Sequence, residues 1–377
     1  MLLSIFIFIA VCYLVLIITL IYGWNQVPEF KTEHFEPKIG FSIIVPFRNE
    51  TENLPDLLES LSKLKYPASK FEILLINDAS EDDSVKICSE FQLEHPNLKI
   101  SILDNELLTG SPKKDALKRG IENGNYRYIV TTDADCVVPK LWLQTFNDFI
   151  LKTDADMICA PVGFRNSKYK KLFQKFEELD FMSLQATTVG AFGIEQPFMC
   201  NGANLCYKKE AFLAAEGFSG NDKIASGDDI FLLQKFQEKK LKVEFLKSEK
   251  AIVATKPQQT LPQLISQRVR WAAKATAYKS TFSRFAGFSV LLMNVSLVVA
   301  AFLVLFEQLP EQPILIIFLL KFNADFILIF LAAKFFKKEL LMRNYFWCSI
   351  VYPFFSGFVA LKSLFSGFEW KGRRFRS

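Results

Sequence analysis

Acidic side chains recur directly after apolar stretches in the first half of the chain. Glu50, Asp78 and the pair Asp133 and Asp135 each follow a different run of apolar, β-rich residues. Carboxylates in such positions can bind a hard divalent cation, accept hydrogen bonds from a nucleoside, or take a proton as a general base. One acidic loop means little, but repetition after several predicted strands indicates a ligand site at one edge of a sheet.

The tripeptide Asp133-Ala134-Asp135 has a spacing that suits a metal site. Along an extended chain the two carboxylates lie close together but point in different directions, so one can bind Mg²⁺ or Mn²⁺ while the other fixes the site. Such a cation neutralises a departing diphosphate. The tripeptide recurs as Asp154-Ala155-Asp156. That copy precedes the predicted strand 157–162 instead of ending one, and we interpret it as a turn between a helix and a strand.

Two further groups of polar residues lie downstream. Asp228 and Asp229 precede a helical run, where paired acids can also serve only to compensate the helix dipole. Gln267, Arg270 and Trp271 have the i, i+3, i+4 spacing of one helix face. Arginine can bind a phosphate through two hydrogen bonds and tryptophan can stack on a sugar ring. The alternative is a basic, aromatic helix on a membrane surface.

Strand and helix patterns alternate between residues 38 and 280. Continuous apolar runs are typical of parallel strands buried on both faces, and we therefore predict an α/β domain with a mostly parallel sheet covered by helices over residues 38–280. The predicted strands are Ile39–Val45, Phe71–Ile76, Leu98–Leu103, Tyr126–Thr132 and Met157–Val162. The predicted helices are Glu52–Lys65, Asp82–Leu93, Lys113–Asn123, Ile230–Lys239 and one from Leu261.

Apolar segments flank this domain on both sides. Residues 2–24 carry no charge and are long enough to cross a hydrocarbon core of ~30 Å. They lack the basic start and the cleavage site of a signal peptide, so we predict a retained membrane helix over residues 1–24. The later segments are 285–306, 313–333 and 344–366. Pro353 interrupts segment 344–366, and we predict that this segment either spans the membrane or forms a re-entrant or interfacial segment. The basic tail 371–376 favours a cytosolic C-terminus.

Composition excludes several classes of protein. The 377 residues include seven Cys, without a CxxC pair, and only two His. A disulfide framework, a zinc ribbon, a Ser-His-Asp triad and a two-His metal site are therefore not expected. The net charge of +5 gives no case for a nucleic-acid partner. Any chemistry must come from carboxylates, lysine and arginine.

Five motifs in a fixed order carry a family resemblance. PFRNE, INDAS, TTDAD, GDD and QRVRW, followed by membrane helices, resemble the family 2 glycosyltransferases with a GT-A fold. More narrowly, they are similar to the membrane branch with cellulose, hyaluronan and ceramide-glucose synthases. The resemblance covers residues 40–280. This chain departs from the family at Asn77, where Asp is common, and at Asp228, where Glu is usual.

The resemblance implies a role for each matching residue. In the donor site, Glu50 would contact the ribose, Asp78 the base, and Lys113 the region near the nucleotide and diphosphate. Asp133 would bind the donor and the metal, and Asp135 would be a metal ligand. Asp229 would be the general base, and the diphosphate and the acceptor would be bound by Gln267, Arg270 and Trp271.

The implied function is a membrane-bound, inverting transfer of a sugar from a nucleoside-diphosphate sugar, commonly a UDP-sugar, to a hydroxyl of a lipid-linked or glycan acceptor. A processive polysaccharide synthase is the first alternative, disfavoured by the small number of membrane helices. A non-catalytic nucleotide-sugar-binding assembly protein is the second, disfavoured by the presence of Asp229 and Arg270. Nucleotide sugars and reduced thiols are cytosolic, so we expect a multi-pass protein of the cytoplasmic membrane with a cytosolic catalytic domain.

Overall fold

The computed structural model describes residues 2–165, 171–220, 227–273 and 280–365, and the backbone of 368–370 and 373–375. The chain divides into two compact units, each made of separate stretches of sequence. The α/β unit comprises Pro28–Arg165 and Met199–Lys256. The helical unit comprises Met1–Val27, Asn166–Phe198 and Pro257–Ser377.

The elements follow in chain order. The helices are α1 (Leu2–Gln26), α2 (Leu54–Ser62), α3 (Ser84–Glu94), α4 (Pro112–Asn123), α5 (Trp142–Thr153), α6 (Leu172–Gly193), α7 (Lys209–Ala214), α8 (Asp228–Glu238), α9 (Leu261–Ala273), α10 (Thr281–Leu305), α11 (Glu311–Phe335) and α12 (Tyr345–Phe365). The strands are β1 (Phe41–Phe47), β2 (Phe71–Asn77), β3 (Ile100–Asp104), β4 (Tyr128–Thr131), β5 (Met157–Cys159), β6 (Val162–Phe164), β7 (Leu205–Lys208), β8 (Val243–Phe245), β9 (Val253–Thr255), β10 (Phe368–Trp370) and β11 (Arg373–Phe375).

A mostly parallel sheet forms the centre of the α/β unit, as predicted. Its strand order is β3-β2-β1-β4-β7-β5-β8, and only β7 runs antiparallel to its neighbours. All seven residues of β2 are buried, which is the two-sided burial that its continuous apolar sequence indicates. The predicted strand 157–162 is broken at Pro161 into β5, which belongs to this sheet, and β6, which pairs with β9.

The order of the strands reverses next to β1. This strand pairs in parallel with β2 on one side and with β4 on the other. The chain therefore leaves β1 toward one half of the sheet and later returns to the other half. In open sheets of this type the crevice outside the carboxyl ends of the strands at such a reversal is the usual place for a ligand.

Among the described residues of the helical unit, four helices are long and apolar enough to cross a membrane. They are α1, α10, α11 and α12, the last with the preceding turn from Glu339. Helix α12 is continuous through Pro353, and the placement of segment 344–366 as a span or as a re-entrant or interfacial segment stays a prediction. The side chains of the basic tail 371–376 lie outside the described residues.

The helical unit also includes parts of the stretch predicted as one domain over 38–280. Helix α6 and helix α9 group with the apolar helices, and α6 packs against α1 and α11. The two helices α1 and α6 approach closely because glycines on each helix face the backbone of the other. A Cβ atom on Gly190 would lie 2.4 Å from the carbonyl oxygen of Leu20, and one on Gly23 would lie 2.0 Å from that of Gly190. We call this contact the glycine seam.

Candidate active site

The strand ends bring the predicted acids to one edge of the α/β unit. Phe47, the last residue of β1, pairs with Asn77, the last residue of β2. Ile44 of β1 pairs with Thr131 at the end of β4. The residues that follow these ends, among them Asp78 and Asp133, therefore leave the sheet on the same side. The strand-end pattern of the sequence corresponds to a real edge of the sheet.

The Asp133-Ala134-Asp135 tripeptide lies in a tight turn. The backbone N–H of Cys136 donates to the carbonyl oxygen of Asp133 at 3.1 Å. The extended chain that we assumed for this tripeptide is therefore wrong, because β4 ends at Thr131. Both carboxylates keep some exposure to solvent, and Oδ1 of Asp135 accepts a contact from Sγ of Cys136 at 3.5 Å.

Lys113, near the start of α4, lies between two of the acids. Its Nζ atom is 2.8 Å from Oδ1 of Asp133 and 3.2 Å from Oδ2 of Asp228. Burial alone would lower the pKa of Lys113, but the two carboxylates outweigh burial and raise the pKa above its ordinary value. The lysine therefore carries a positive charge at any physiological pH. This contact gives the first acid of the Asp228-Asp229 pair a role that the sequence left in doubt.

Asp229 is fixed by backbone donors at the start of α8. The N–H of Gly202 donates to Oδ2 at 3.2 Å, and the N–H of Ile230 donates to Oδ1 at 2.8 Å. Each bond fixes one of the two carboxylate oxygens in place. The side chain of Thr131 in turn donates to the carbonyl oxygen of Gly202 at 2.8 Å. The base candidate is thus connected to the end of β4, where Asp133 follows.

The antiparallel strand β7 positions the turn that contains Gly202. Residues 202–204 form a short 3-10 turn directly before β7, and Leu205 of β7 pairs with Thr131 of β4. Because β7 runs opposite to β4, its first residue lies beside the last residue of β4. A Cβ atom on Gly202 would lie 2.9 Å from Oδ2 of Asp228, so a side chain here would displace the carboxylate that pairs with Lys113.

Asp78 is held by a residue that the sequence analysis missed. Asn105 follows β3, and its Nδ2 atom donates to Oδ1 of Asp78 at 2.9 Å. Beside it, Nδ2 of Asn77 donates to Oδ1 of Asp104 at 2.9 Å. An Asp at position 77 would put two carboxylates in contact, which explains why this chain departs from the usual Asp-Asp sequence. The strand-end pattern, applied to β3 as well, would have found Asp104 and Asn105.

Glu50 lies in the loop after β1 and is almost fully buried. Its backbone N–H donates to Oγ of Ser84 at 2.8 Å, and its Oε2 atom accepts from Nδ2 of Asn53 at 2.6 Å. Nearby, Nη1 of Arg48 donates to the carbonyl oxygen of Asp78 at 2.8 Å. These bonds tie the loop after β1 to the loop after β2, so the two predicted nucleoside contacts belong to one connected structure.

The two carboxylates of the turn suit a shared cation and not a closed metal cage. The described residues contain no cluster of three or more His, Cys, Asp or Glu side chains that could hold a metal ion. Mg²⁺ and similar cations commonly take one or two carboxylates and complete their shell with phosphate oxygens and water. Asp133 and Asp135 provide that number, and the ammonium of Lys113 already shows that positive charge is favourable beside Asp133.

The second tripeptide, Asp154-Ala155-Asp156, is a structural turn. Asp154 directly follows α5 and has a positive φ of 48°, and Nζ of Lys208 lies 2.9 Å from a carboxylate oxygen of both Asp154 and Asp156. Lys208 pairs with Tyr128 at the start of β4. The turn therefore lies at the opposite edge of the sheet from Asp133, in agreement with its interpretation as a turn between a helix and a strand.

Gln267, Arg270 and Trp271 lie on α9, in the helical unit. All three side chains are partly exposed, whereas Arg268 and Val269 between them are buried. The structure therefore supports the expected common face of the helix. Their roles toward a diphosphate and an acceptor stay predictions of the sequence resemblance.

Helix α6 carries a titratable group in the helical unit. Glu177 is fully buried, and its Oε2 atom accepts from the backbone N–H of Gln258 at 3.0 Å. Burial raises the pKa of Glu177 to about 7, with Asp180 and Glu178 adding to the increase and Arg268 opposing it.

A carboxyl whose pKa is higher in the folded state stabilises the fold below its unfolded pKa, and this stabilisation is lost as the pH rises through about 7. We therefore expect the melting temperature of the detergent-solubilised protein to fall between pH 5 and pH 8. The free-energy change from this one group is at most about 3 kcal/mol. Glu177→Gln should flatten that dependence, while Glu90→Gln on an exposed face of α3 should leave it as it is. An equally steep dependence in Glu177→Gln would show that other groups cause it.

Comparison with known proteins decides the family. The profile of glycosyl transferase family 21 matches residues 2–377, which is nearly the whole chain. The chain belongs to glycosyl transferase family 21. Membership in this family confirms the resemblance to membrane-bound glycosyltransferases that the five motifs carry.

Relatives of this family 21 chain match parts of it. Poly-beta-1,6-N-acetyl-D-glucosamine synthase of Staphylococcus epidermidis is 27% identical over 255 residues, which are 66% of this chain and 57% of that protein. Glycosyltransferase AglE of Haloferax volcanii is 32% identical over 123 residues, which are 33% of this chain and 39% of that protein. The chain thus spans about half the length of these relatives.

A solved structure agrees with the family 21 chain in fold. The mannosyltransferase PcManGT from Pyrobaculum calidifontis, determined in complex with GDP-Man and Mn2+, matches 97% of this chain and 99% of its own. The TM-score is 0.59 at 16% sequence identity, so the likeness concerns the fold alone. It confirms the predicted GT-A architecture.

Proposed function

We propose that this family 21 chain transfers a sugar from a nucleoside-diphosphate sugar, a UDP-sugar in our prediction, to a hydroxyl of a lipid-linked or glycan acceptor at the cytosolic face of the cytoplasmic membrane. The observation that carries the proposal is the convergence of acids and one ammonium at the carboxyl edge of the sheet. Lys113 bridges Asp133 and Asp228, and Asp229 follows directly in the chain. A charged leaving group and a proton to be removed need these two kinds of side chain near each other.

Asp229 is the general base in this proposal. Its carboxylate takes the proton from the acceptor hydroxyl while that oxygen attacks the anomeric carbon from the side opposite the diphosphate. The configuration at that carbon therefore inverts, and no protein nucleophile is needed. The bonds from Gly202 and Ile230 hold the carboxylate in place before the acceptor arrives. A positioned base of this kind contributes about 10²–10⁴-fold to the rate.

The donor would be held from two sides. Asp78 is proposed to accept a hydrogen bond from the base and Glu50 to contact the ribose, with their loops joined through Arg48. Lys113 is proposed to supply positive charge to the diphosphate as negative charge grows on the leaving group. Such preorganised charge acts strongly because it needs no rearrangement during the reaction.

Asp135, with Asp133, would hold a divalent cation, Mg²⁺ or Mn²⁺. Such a cation neutralises the diphosphate as it departs. The complex of PcManGT with GDP-Man and Mn2+ supports this part of the proposal by the likeness of fold.

A processive polysaccharide synthase remains the alternative, and the name of the Staphylococcus epidermidis relative favours it. The test is a transfer assay on membranes that contain the full chain. It uses a panel of radiolabelled nucleotide sugars and total membrane lipid, and products are separated by size. One added sugar supports the proposal, long chains support the alternative, and no transfer from any donor contradicts both.

Asp135→Asn should weaken metal binding at least about tenfold. Loss of a residue that only hydrogen-bonds to a metal ligand typically lowers metal affinity 10–100-fold, and loss of a direct ligand should cost at least as much. Electron paramagnetic resonance of Mn²⁺ with UDP present measures the binding directly. Asp154→Asn, at the exposed turn on the other edge of the sheet, is the matched control and should bind as the unaltered protein does. Equal losses in the two variants would mean that the wrong tripeptide has been assigned.

A further inference from the structure

A buried ion pair joins two helices of the helical unit. Nε of Arg268 on α9 lies 2.6 Å from Oδ2 of Asp180 on α6, and both side chains are only 6% exposed. Arg268 occupies a variable position inside the Gln267–Trp271 motif, and neither residue has a role in the function proposed above. Their contacts nevertheless lead directly to that motif.

Arg268 contacts both ends of the motif. Its Nη1 atom donates to Oε1 of Gln267, and its guanidinium lies over the ring of Trp271, 4.3 Å from the ring centroid. An arginine this close to an indole ring gives a cation–π contact. Because the amide oxygen of Gln267 is engaged by Arg268, its NH₂ group is the part available to donate to a ligand. One buried guanidinium thus orients two partly exposed side chains.

The ion pair orients the guanidinium itself. An arginine side chain has several rotatable bonds, so a fixed partner is needed to keep its guanidinium over a neighbouring ring. Asp180 supplies that partner from another helix, and Phe181, the next residue on α6, lies 6.3 Å from Trp271 between ring centroids. Helix α6 therefore determines the position of the indole both through the ion pair and through a direct aromatic contact.

Packing alone does not account for the choice of residues. Burying two charges costs desolvation that apolar residues of similar size avoid, so a buried pair is weak evidence for stability and better explained by a specific geometry. In addition, Nη2 of Arg268 is buried without a hydrogen-bond partner among the described residues. An apolar pair at 180 and 268 would have neither cost, but it would also hold neither Gln267 nor Trp271.

We propose that Arg268 and Asp180 are positioning residues that hold Gln267 and Trp271 in the geometry that receives the acceptor. This inference rests on the proposed function for the acceptor role of the motif. The orientation of the indole can be tested without any transfer.

The first measurement is ¹⁹F nuclear magnetic resonance of the full chain labelled with 5-fluorotryptophan. The Trp271 signal is assigned through Trp271→Phe. Arg268→Met and Asp180→Asn should each shift or broaden this signal, because each removes the group that fixes the indole. Arg343→Met, on an exposed turn before α12, is the matched control and should leave the signal unchanged. An unchanged Trp271 signal in Arg268→Met would overturn the proposal.

The second measurement is transfer kinetics. Arg268→Met should raise the KM for the acceptor by about tenfold, in line with the loss of a desolvated cation–π contact, and leave the dissociation constant of UDP within about twofold. Arg268→Lys keeps the charge but not the planar group and should resemble Arg268→Met. Asp180→Asn combined with Arg268→Met should add little to Arg268→Met alone.

The outcomes separate the two proposals. If the indole signal moves but the acceptor KM does not, the pair is structural and the positioning role is wrong. If the unaltered protein transfers no sugar, the proposed function fails, and the indole signal still shows whether Arg268 orients Trp271. If Arg268→Met and Asp180→Asn both unfold, Arg268→Lys decides, and a native Trp271 signal and KM in that variant would overturn the proposal.

Discussion

Replacing Asp229 by Asn should reduce sugar transfer by about 10²–10⁴-fold while the protein still binds its donor. Asparagine has nearly the same shape but only one acceptor oxygen, so it can keep one of the two bonds from the backbone N–H groups of Gly202 and Ile230, and it cannot take up a proton. The affected quantity should be kcat, because the base acts in the transition state and contributes little to ground-state binding. Radiolabelled transfer measures the rate, and equilibrium binding of UDP measures the donor site.

A matched control is Glu210→Gln, another acid in the first turn of a helix. Glu210 is exposed and pairs with Arg127 at the surface, so its loss should leave transfer within about twofold. Transfer by Asp229→Asn at the normal rate would exclude Asp229 as the base. A parallel loss of UDP binding would instead mean that this side chain supports the donor site.

Gly190→Leu should destabilise the helical unit by more than about 3 kcal/mol, above the usual range for an oversized side chain. In the glycine seam, even a Cβ atom at this position would meet the backbone oxygen of Leu20 at 2.4 Å, and backbone cannot move aside as a side chain can. Small residues allow helices to approach this closely where lipid offers no hydrophobic driving force. We expect loss of the monodisperse peak in fluorescence-detected size exclusion and a lower melting temperature.

Gly287→Ala is the control for this change. Gly287 lies on α10, and a Cβ atom there would meet nothing within 4 Å. Alanine at this position should leave the protein unchanged or slightly more stable, because it restricts the unfolded chain. A Gly190→Leu variant that elutes and melts like the unaltered protein would show that α1 and α6 are not held together by close backbone contact.

The sequence predicted the edge of the sheet that carries the acids, because two kinds of local signal agree there. Continuous apolar runs predict buried parallel strands, and polar residues directly after them predict the ligand edge. The ends of β1, β2 and β4 followed this rule. The pair Asp104 and Asn105 obeys the same rule and was missed only because it was not applied to β3.

These local sequence patterns could not predict contacts between distant parts of the chain. Lys113 and Asp228 are far apart in sequence and meet because β7 returns antiparallel beside β4, which the sequence analysis did not predict. The sequence also did not predict that α6 belongs to the helical unit, because its acidic residues Glu177, Glu178 and Asp180 suggest a soluble helix. Their partners, such as Arg268, lie on helices that come much later in the chain.

The glycine seam has a consequence for how the protein is made. Helix α1 leaves the ribosome before α6, since its partner at Gly190 is synthesised roughly 170 residues later, or about 10–30 s at typical elongation rates. During that interval the face of α1 that carries Leu20 and Gly23 has no native partner from its own chain. Lipid, another nascent chain or an insertase must cover it until α6 arrives. Synonymous codons that slow translation between residues 27 and 190 should therefore lower the yield of assembled protein, although they change no residue of it.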